Sequence, residues 1–191
     1  MKGGKRAAPA KVTAASLNNI ALHYLERFAS SAANLRRVLM RRVRRAAAHH
    51  GGDPAEGAAL VDSLIGRFEQ AGLLDDQRYA AAKAASLQRR GGSRRVISGR
   101  LAQQGVATAL IAETLQELAA EPGSGDLAAA CAFIRRRRLG AYRSAMSRAG
   151  TPEKDMAALA RAGFSFEIAR RVLACADIAS VESLLRAAEE A

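Results

Sequence analysis

LAQQGVATALIAETL, residues 101–115, returns 58 residues later as LARAGFSFEIARRVL, residues 159–173. The anchors pair as Leu101 with Leu159, Gly105 with Gly163, Val106 with Phe164, Leu110 with Ile168 and Leu115 with Leu173. A glycine between two apolar-periodic segments stops one helix in a left-handed turn and lets the next begin. A turn of this kind recurring with every anchor in register points to tandem helical units. Such units each bury one face against their neighbours, and the expected body is elongated and curved, with a long surface for a partner.

Working outward, the helices preceding these stretches start at Asp76 and Asp126, only 50 residues apart, so the connection from Gly140 to Thr151 holds the extra residues. Towards the N-terminus, Leu17, Ile20, Ala21, Tyr24, Leu25 and Phe28 follow the i, i+3, i+4 period of a short amphipathic helix. A second helix over about Ala32–Ala48 sets Leu35, Val38, Leu39, Val43 and Ala46 on one side. Gly51-Gly52-Asp53-Pro54 ends it and caps a third, which carries Leu60, Val61, Leu64, Ile65 and Phe68 as far as Gly72. The predicted organisation is a disordered basic tail (1–13), three-helix repeats over 14–72, 73–121 and 122–174, and a C-terminal helical extension over 175–191.

Composition agrees with an all-α chain. Of 191 residues 45 are Ala, against 8 Val, 7 Ile, 8 aromatics and no Trp, too few β-branched and aromatic residues for a sandwich or barrel. No apolar run approaches the roughly 20 residues that span a bilayer, and no signal-peptide core follows the start, so a soluble, cytoplasmic protein is expected. Cys131 and Cys175 stand singly in apolar helical contexts and read as small buried hydrophobes.

The charge is lopsided. Residues 1–50 hold 11 cations and the single acid Glu26, whereas residues 51–191 hold 19 cations and 17 acids. A basic end of this kind suits nucleic acid or an acidic protein groove. Its centre is the second helix, with Arg36, Arg37, Arg41, Arg42, Arg44 and Arg45 and no acid among them. At 100° per residue Arg37, Arg41, Arg44 and Arg45 share one face opposite the apolar stripe, and like charges at i,i+4 cost a few tenths of a kcal/mol that a polyanion would relieve. The bland reading is a solvated face. Arg89, Arg90, Arg94 and Arg95 flank Gly91-Gly92, where phosphate or carboxylate is a candidate ligand; Arg135, Arg136, Arg137 and Arg138 close a helix, where cations also complement the C-terminal dipole.

Asp75-Asp76 reads as a helix cap rather than a metal pair, and His49-His50 point about 100° apart on a helix and read as exposed. The helix from Ala107 to Leu118 after Gly105 carries Glu113 and Glu117 and no cation, which argues against a recognition helix in a major groove. No phosphate-binding loop, nucleophile elbow or Cys/His ligand pattern is present, so neither an enzyme nor a cofactor is expected.

Gly72-Leu73-Leu74-Asp75-Asp76-Gln77-Arg78-Tyr79-Ala80, the basic glycine turn Arg90–Ile97, Leu101-x3-Gly105-Val106 and Leu159-x2-Ala162-Gly163-Phe164-Ser165 together resemble the RecX regulatory proteins, over about residues 17–174. The resemblance implies three tandem three-helix repeats, with Asp75, Asp76, Tyr79, Gly105, Gly163 and Phe164 as structural motif positions. It also implies a monomer that binds the RecA recombinase, lies in the groove of its filament on single-stranded DNA and hinders filament growth, ATP hydrolysis, strand exchange and cleavage of the SOS repressor. Against the family pattern, the second helix is extended by Arg41 to His50. The alternative reading is a helical protein that binds DNA non-specifically without RecA.

Overall fold

The structure, a computed structural model, describes residues 10–121, 125–144 and 152–189. Among these every regular element is helical: α1 (Ala14–Arg27), α2 (Ala32–His50), α3 (Pro54–Gln70), α4 (Asp76–Arg89), α5 (Arg94–Gln103), α6 (Thr108–Ala120), α7 (Asp126–Arg137), a 3-10 turn (Gly140–Tyr142), α8 (Pro152–Arg161), α9 (Phe166–Leu173) and α10 (Ile178–Glu189). The all-α reading holds. The chain divides into two compact units, residues 1–79 and 80–191.

In the first unit α1, α2 and α3 pack pairwise around Leu17, Ala21, Leu35, Leu39, Val43, Val61, Leu64 and Phe68. Thr13 and Ser16 form a reciprocal capping box at the start of α1, and Val12 packs against this core. The last residues of the expected tail therefore belong to the fold, while residues 1–9 lie outside the described residues. Asp53 accepts the Ala55 N–H at 2.8 Å and Pro54 opens α3, as the cap-and-proline signal predicts.

The first-helix stripe needs one correction. The period groups Phe28 with the buried face, but α1 stops at Arg27 and Phe28 caps it at φ −140°, off the helical line; the residue is 53% exposed. Val38 is likewise only half-buried, and Met40 takes a core position beside Leu39.

In the second unit α5 packs on α6 through the Gly105 turn, and α7, the 3-10 turn, α8, α9 and α10 share a core of Ala130, Cys131, Phe133, Ile134, Leu159, Phe164, Val172 and Val181. Val181 is fully buried, so the C-terminal helix is a member of this core. The anchor pairs of the two repeated stretches do the same work. The Gly105 N–H reaches the Ala102 carbonyl at 2.8 Å at φ +81°, and the Gly163 N–H reaches Ala160 at 2.9 Å at φ +85°. Gly163 is also held at close quarters: a Cβ there would lie 2.7 Å from Ser93 Oγ, which donates to the Ala162 carbonyl at 2.7 Å.

Candidate functional site

Ser31 starts α2 by accepting the Asn34 N–H at 3.1 Å. The helix then runs 19 residues, burying Leu35, Leu39, Met40, Val43 and Ala46 against its neighbours and leaving every arginine on the outside. The structure sorts those arginines into two flanks. Towards α1, Arg41, Arg42 and Arg45 line a 430 Å³ cleft with Arg27, His23, Tyr24 and Phe28 over an apolar floor of Ile20 and Val38. On the other flank Arg36, Arg37, Arg41 and Arg44 line a 310 Å³ cleft with Asn34 and Met40. Arg41 borders both. The face drawn by the helical wheel, Arg37, Arg41, Arg44 and Arg45, therefore straddles two clefts.

Not all six are equivalent. Arg36 grips Asp62 of α3 with two nitrogens, Nη2 to Oδ2 at 3.0 Å, a pair that α2's own sequence gives no sign of. That hydrogen bond holds the Asp62 carboxyl below its usual range and raises Arg36, but both side chains are about half exposed, so the pair adds little to stability. Arg37 Nη2 donates to Asn34 Oδ1 at 3.2 Å. Arg41, Arg42, Arg44 and Arg45 pair with no other described residue and point into solvent. His49 and His50 finish the helix, stacked edge to face with centroids 4.7 Å apart.

Asp75 and Asp76 are caps, each for a different helix. Asp75 Oδ1 accepts the Arg78 N–H of its own helix at 2.8 Å, while Asp76 Oδ1 accepts the Ala32 N–H, the first of α2, also at 2.8 Å. Asp76 thus sets where the arginine-bearing helix begins, 44 residues earlier. Tyr79 is half-buried, and burial pushes its hydroxyl above the usual value.

Arg89, Arg90, Arg94 and Arg95 are all exposed. Four amides of their turn are already used: Arg90 and Gly92 donate to the Leu87 carbonyl, Gly91 to Gln88, and Arg94 to Asp126 Oδ1 at 2.8 Å. Gly91 is there for packing, since a Cβ would lie 2.6 Å from the Phe133 nitrogen of α7. Arg135, Arg136, Arg137 and Arg138 are exposed as well; Arg138 closes α7 in the left-handed region at φ +54°, and the Arg137 guanidinium lies 5.9 Å from the Phe133 ring centroid.

Two features escape sequence reasoning. One is the aromatic wall of the α1–α2 cleft, Tyr24 and Phe28, whose ring centroids are 5.2 Å apart. The other is Asp155, 3% exposed, which accepts the Gly140 N–H at 2.9 Å and Arg143 Nε at 3.0 Å. The Arg143 hydrogen bond holds this carboxyl below the usual carboxylate range. The pair pins the start of the long connection that the offset arithmetic located. A 240 Å³ cleft beside it is lined by Leu173 and Cys175. Cys131 is buried, which raises its thiol to about 11 and leaves it protonated at neutral pH. Among the described residues no group of three His, Cys, Asp or Glu side chains gathers where a metal ion would sit, and no helix is long and apolar enough to cross a membrane.

Residues 75–115 match the family described as RecX, second three-helix domain. The Regulatory protein RecX of Myxococcus xanthus (strain DK1622) is 42% identical over 173 residues, covering 90% of each chain. The chain belongs to the RecX family. A second RecX relative, Regulatory protein RecX of Agrobacterium fabrum (strain C58 / ATCC 33970), is 35% identical over 156 residues, 82% of this chain and 80% of its own. No solved structure matches. The matched segment of the RecX domain runs from Asp75 through the basic glycine turn and Gly105 to Leu115, and holds most of the motif positions on which the resemblance rests, though not those at 159–165.

Proposed function

We propose that this RecX-family chain regulates the RecA recombinase: it binds the RecA filament on single-stranded DNA and inhibits filament growth, ATP hydrolysis and the recombination and SOS activities that depend on them. The observation that carries this reading is the 42% identity to a Regulatory protein RecX along nine-tenths of both chains. It acts as a cytoplasmic monomer, without catalysis and without a membrane partner. Its units are the three-helix repeats 14–72, 73–121 and 122–174, followed by a helical extension.

The contacts are assigned to the arginines. Arg37, Arg41, Arg44 and Arg45 on α2 are the main surface, with Arg36 half-committed to Asp62; Arg89, Arg90, Arg94 and Arg95, and Arg135 to Arg138, are further contacts for phosphate or filament carboxylates. Guanidiniums crowded along one helix repel one another, and a polyanionic surface relieves that repulsion.

A second reading, DNA binding without RecA, is favoured by the aromatic wall beside Arg41, Arg42 and Arg45. RecA ATPase on single-stranded DNA separates the two. A regulator that caps or occupies the filament slows ATP hydrolysis well below one molecule per RecA protomer. A plain DNA binder has to coat the strand, and excess DNA abolishes its effect.

A further inference from the structure

The cleft between α1 and α2 combines two chemistries that rarely meet on a merely solvated face. Its charged wall is Arg27, Arg41, Arg42 and Arg45, and no acidic side chain lines it; Glu26, the single acid of α1, lies 3.7 Å from His23 Nδ1. Its other wall is aromatic. Phe28 stands 53% exposed, its ring tilted 42° against Tyr24, and the Arg27 guanidinium lies 5.9 Å from its centroid. Tyr24 is anchored by its hydroxyl, which accepts from Asn34 Nδ2 at 3.1 Å, so the aromatic wall is held in place from below.

An exposed phenylalanine loses free energy to water unless something covers it. A free phosphate, or a run of carboxylates such as poly-L-glutamate, would use the guanidiniums and leave the ring bare. A single-stranded nucleic acid uses both, because its backbone follows a basic groove while an unpaired base stacks on an aromatic face. We propose that the α1–α2 cleft is a direct binding site for single-stranded nucleic acid, with one base stacked on Phe28 and the adjoining phosphates held by Arg41, Arg42 and Arg45. This deepens the reading above by making the strand itself a ligand of this chain, and it is tested without RecA.

The sequence supplies the probe. The chain has no Trp, so Phe28→Trp in the full-length protein is a single-tryptophan reporter that keeps a stacking surface. Titration with short oligo(dT) quenches its emission saturably, and poly-L-glutamate at equal charge does not. Oligo(U) in parallel identifies the strand: equal affinity assigns RNA as well as DNA, and tenfold weaker binding assigns DNA. Phe28→Ala lowers oligo(dT) affinity by about fivefold to a hundredfold, the range of one lost base–aromatic stack, and leaves duplex binding nearly unchanged. Arg41→Gln, Arg42→Gln and Arg45→Gln each reduce the salt slope of oligo(dT) binding by up to about 0.7. Three results overturn the inference: emission of the Phe28→Trp variant unchanged while it binds labelled oligo(dT), Phe28→Ala binding like wild type with unchanged circular dichroism, or poly-L-glutamate quenching as strongly as oligo(dT). If Phe28→Ala binds oligo(dT) normally yet loses RecA inhibition, this site is refuted while the regulatory reading stands.

Discussion

Helix α2 starts at Ser31 and α5 at Ser93 with the same atoms in the same roles. The serine hydroxyl accepts the N–H three residues on, from Asn34 or Val96, and an aspartate at the first position of a later helix accepts the first N–H, Asp76 for Ala32 and Asp126 for Arg94. From there they diverge. The α5 helix ends after 10 residues, and α2 runs for 19, the added length carrying Arg42, Arg44, Arg45 and the His49-His50 end. The start shared by two helices serves the fold, and so does the inward side of the added length, which seats Val43 and Ala46 in the core; only its outward arginines have no partner among the described residues. The capped beginning and inward face of α2 serve stability, and its outward arginines are the partner surface proposed above.

The sharpest way to stress the α5 start is through Gly163, whose turn packs on Ser93. Gly163→Val sets a side chain at φ +85° with its Cβ in the space of Ser93 Oγ and should destabilise by about 3 kcal/mol or more in urea unfolding. Gly72→Val, at φ +69° with open space around it, should cost only the backbone strain, about 1–2 kcal/mol. Equal costs would mean that the seat on Ser93 contributes nothing.

Asp155 extends the comparison to a third upstream N–H, that of Gly140, with the difference that this aspartate is also paired with Arg143. Asp155→Asn should cost about 1–3 kcal/mol at pH 7 by weakening that set of hydrogen bonds. Because the folded carboxyl is held below its unfolded value of about 3.9, the stabilisation is fully present above that pH and is lost as pH falls through the folded value. The gap between wild type and Asp155→Asn in Tm should therefore close in acid; a gap independent of pH would contradict the pairing.

The smallest effects bear on the comparison itself. Asp76→Ala and Asp126→Ala should each lower stability by about 1 kcal/mol, the usual weight of a lost cap. A cost at Asp126 with none at Asp76 would show that the two starts are not one device.

Much of this fold is open to reading along the chain. The Ser93 cap on Val96, the Asp53-Pro54 start and the turns at Gly105 and Gly163 are made within a few residues of chain, and period and spacing report such short-range effects directly. The seat of Gly163 on Ser93, where the serine bonds Ala162 across 69 residues, is not visible to them. What stays hidden is set between segments. Asp76 reaches back 44 residues, Asp62 meets Arg36 across 26, and Asp155 meets Arg143 around the 3-10 turn. A helical wheel places Arg36 on its own helix but is silent about the carboxylate that α3 presents to it. The same limit explains Phe28: its period matches the buried stripe, yet the helix has already ended. The arginine surface is legible as charge, and its division into an aromatic flank and a flank beside Asp62's partner is not.

If α2's outward arginine face does the regulating, removing it must remove the regulation. The direct measurement sets wild type beside Arg37→Gln/Arg41→Gln/Arg44→Gln/Arg45→Gln, with Arg36→Gln as the control at the ion-paired position, in RecA ATPase and in salt-dependent binding to single-stranded DNA. Helicity should survive in the quadruple variant, since the apolar stripe is untouched and Gln favours helix. RecA inhibition should fall sharply in the quadruple variant and barely in Arg36→Gln. If these arginines touch phosphates, the DNA salt slope drops by up to about 0.7 per contact as well. Wild-type inhibition together with wild-type DNA binding in the quadruple variant would contradict the account and return the charge run to a solvated face.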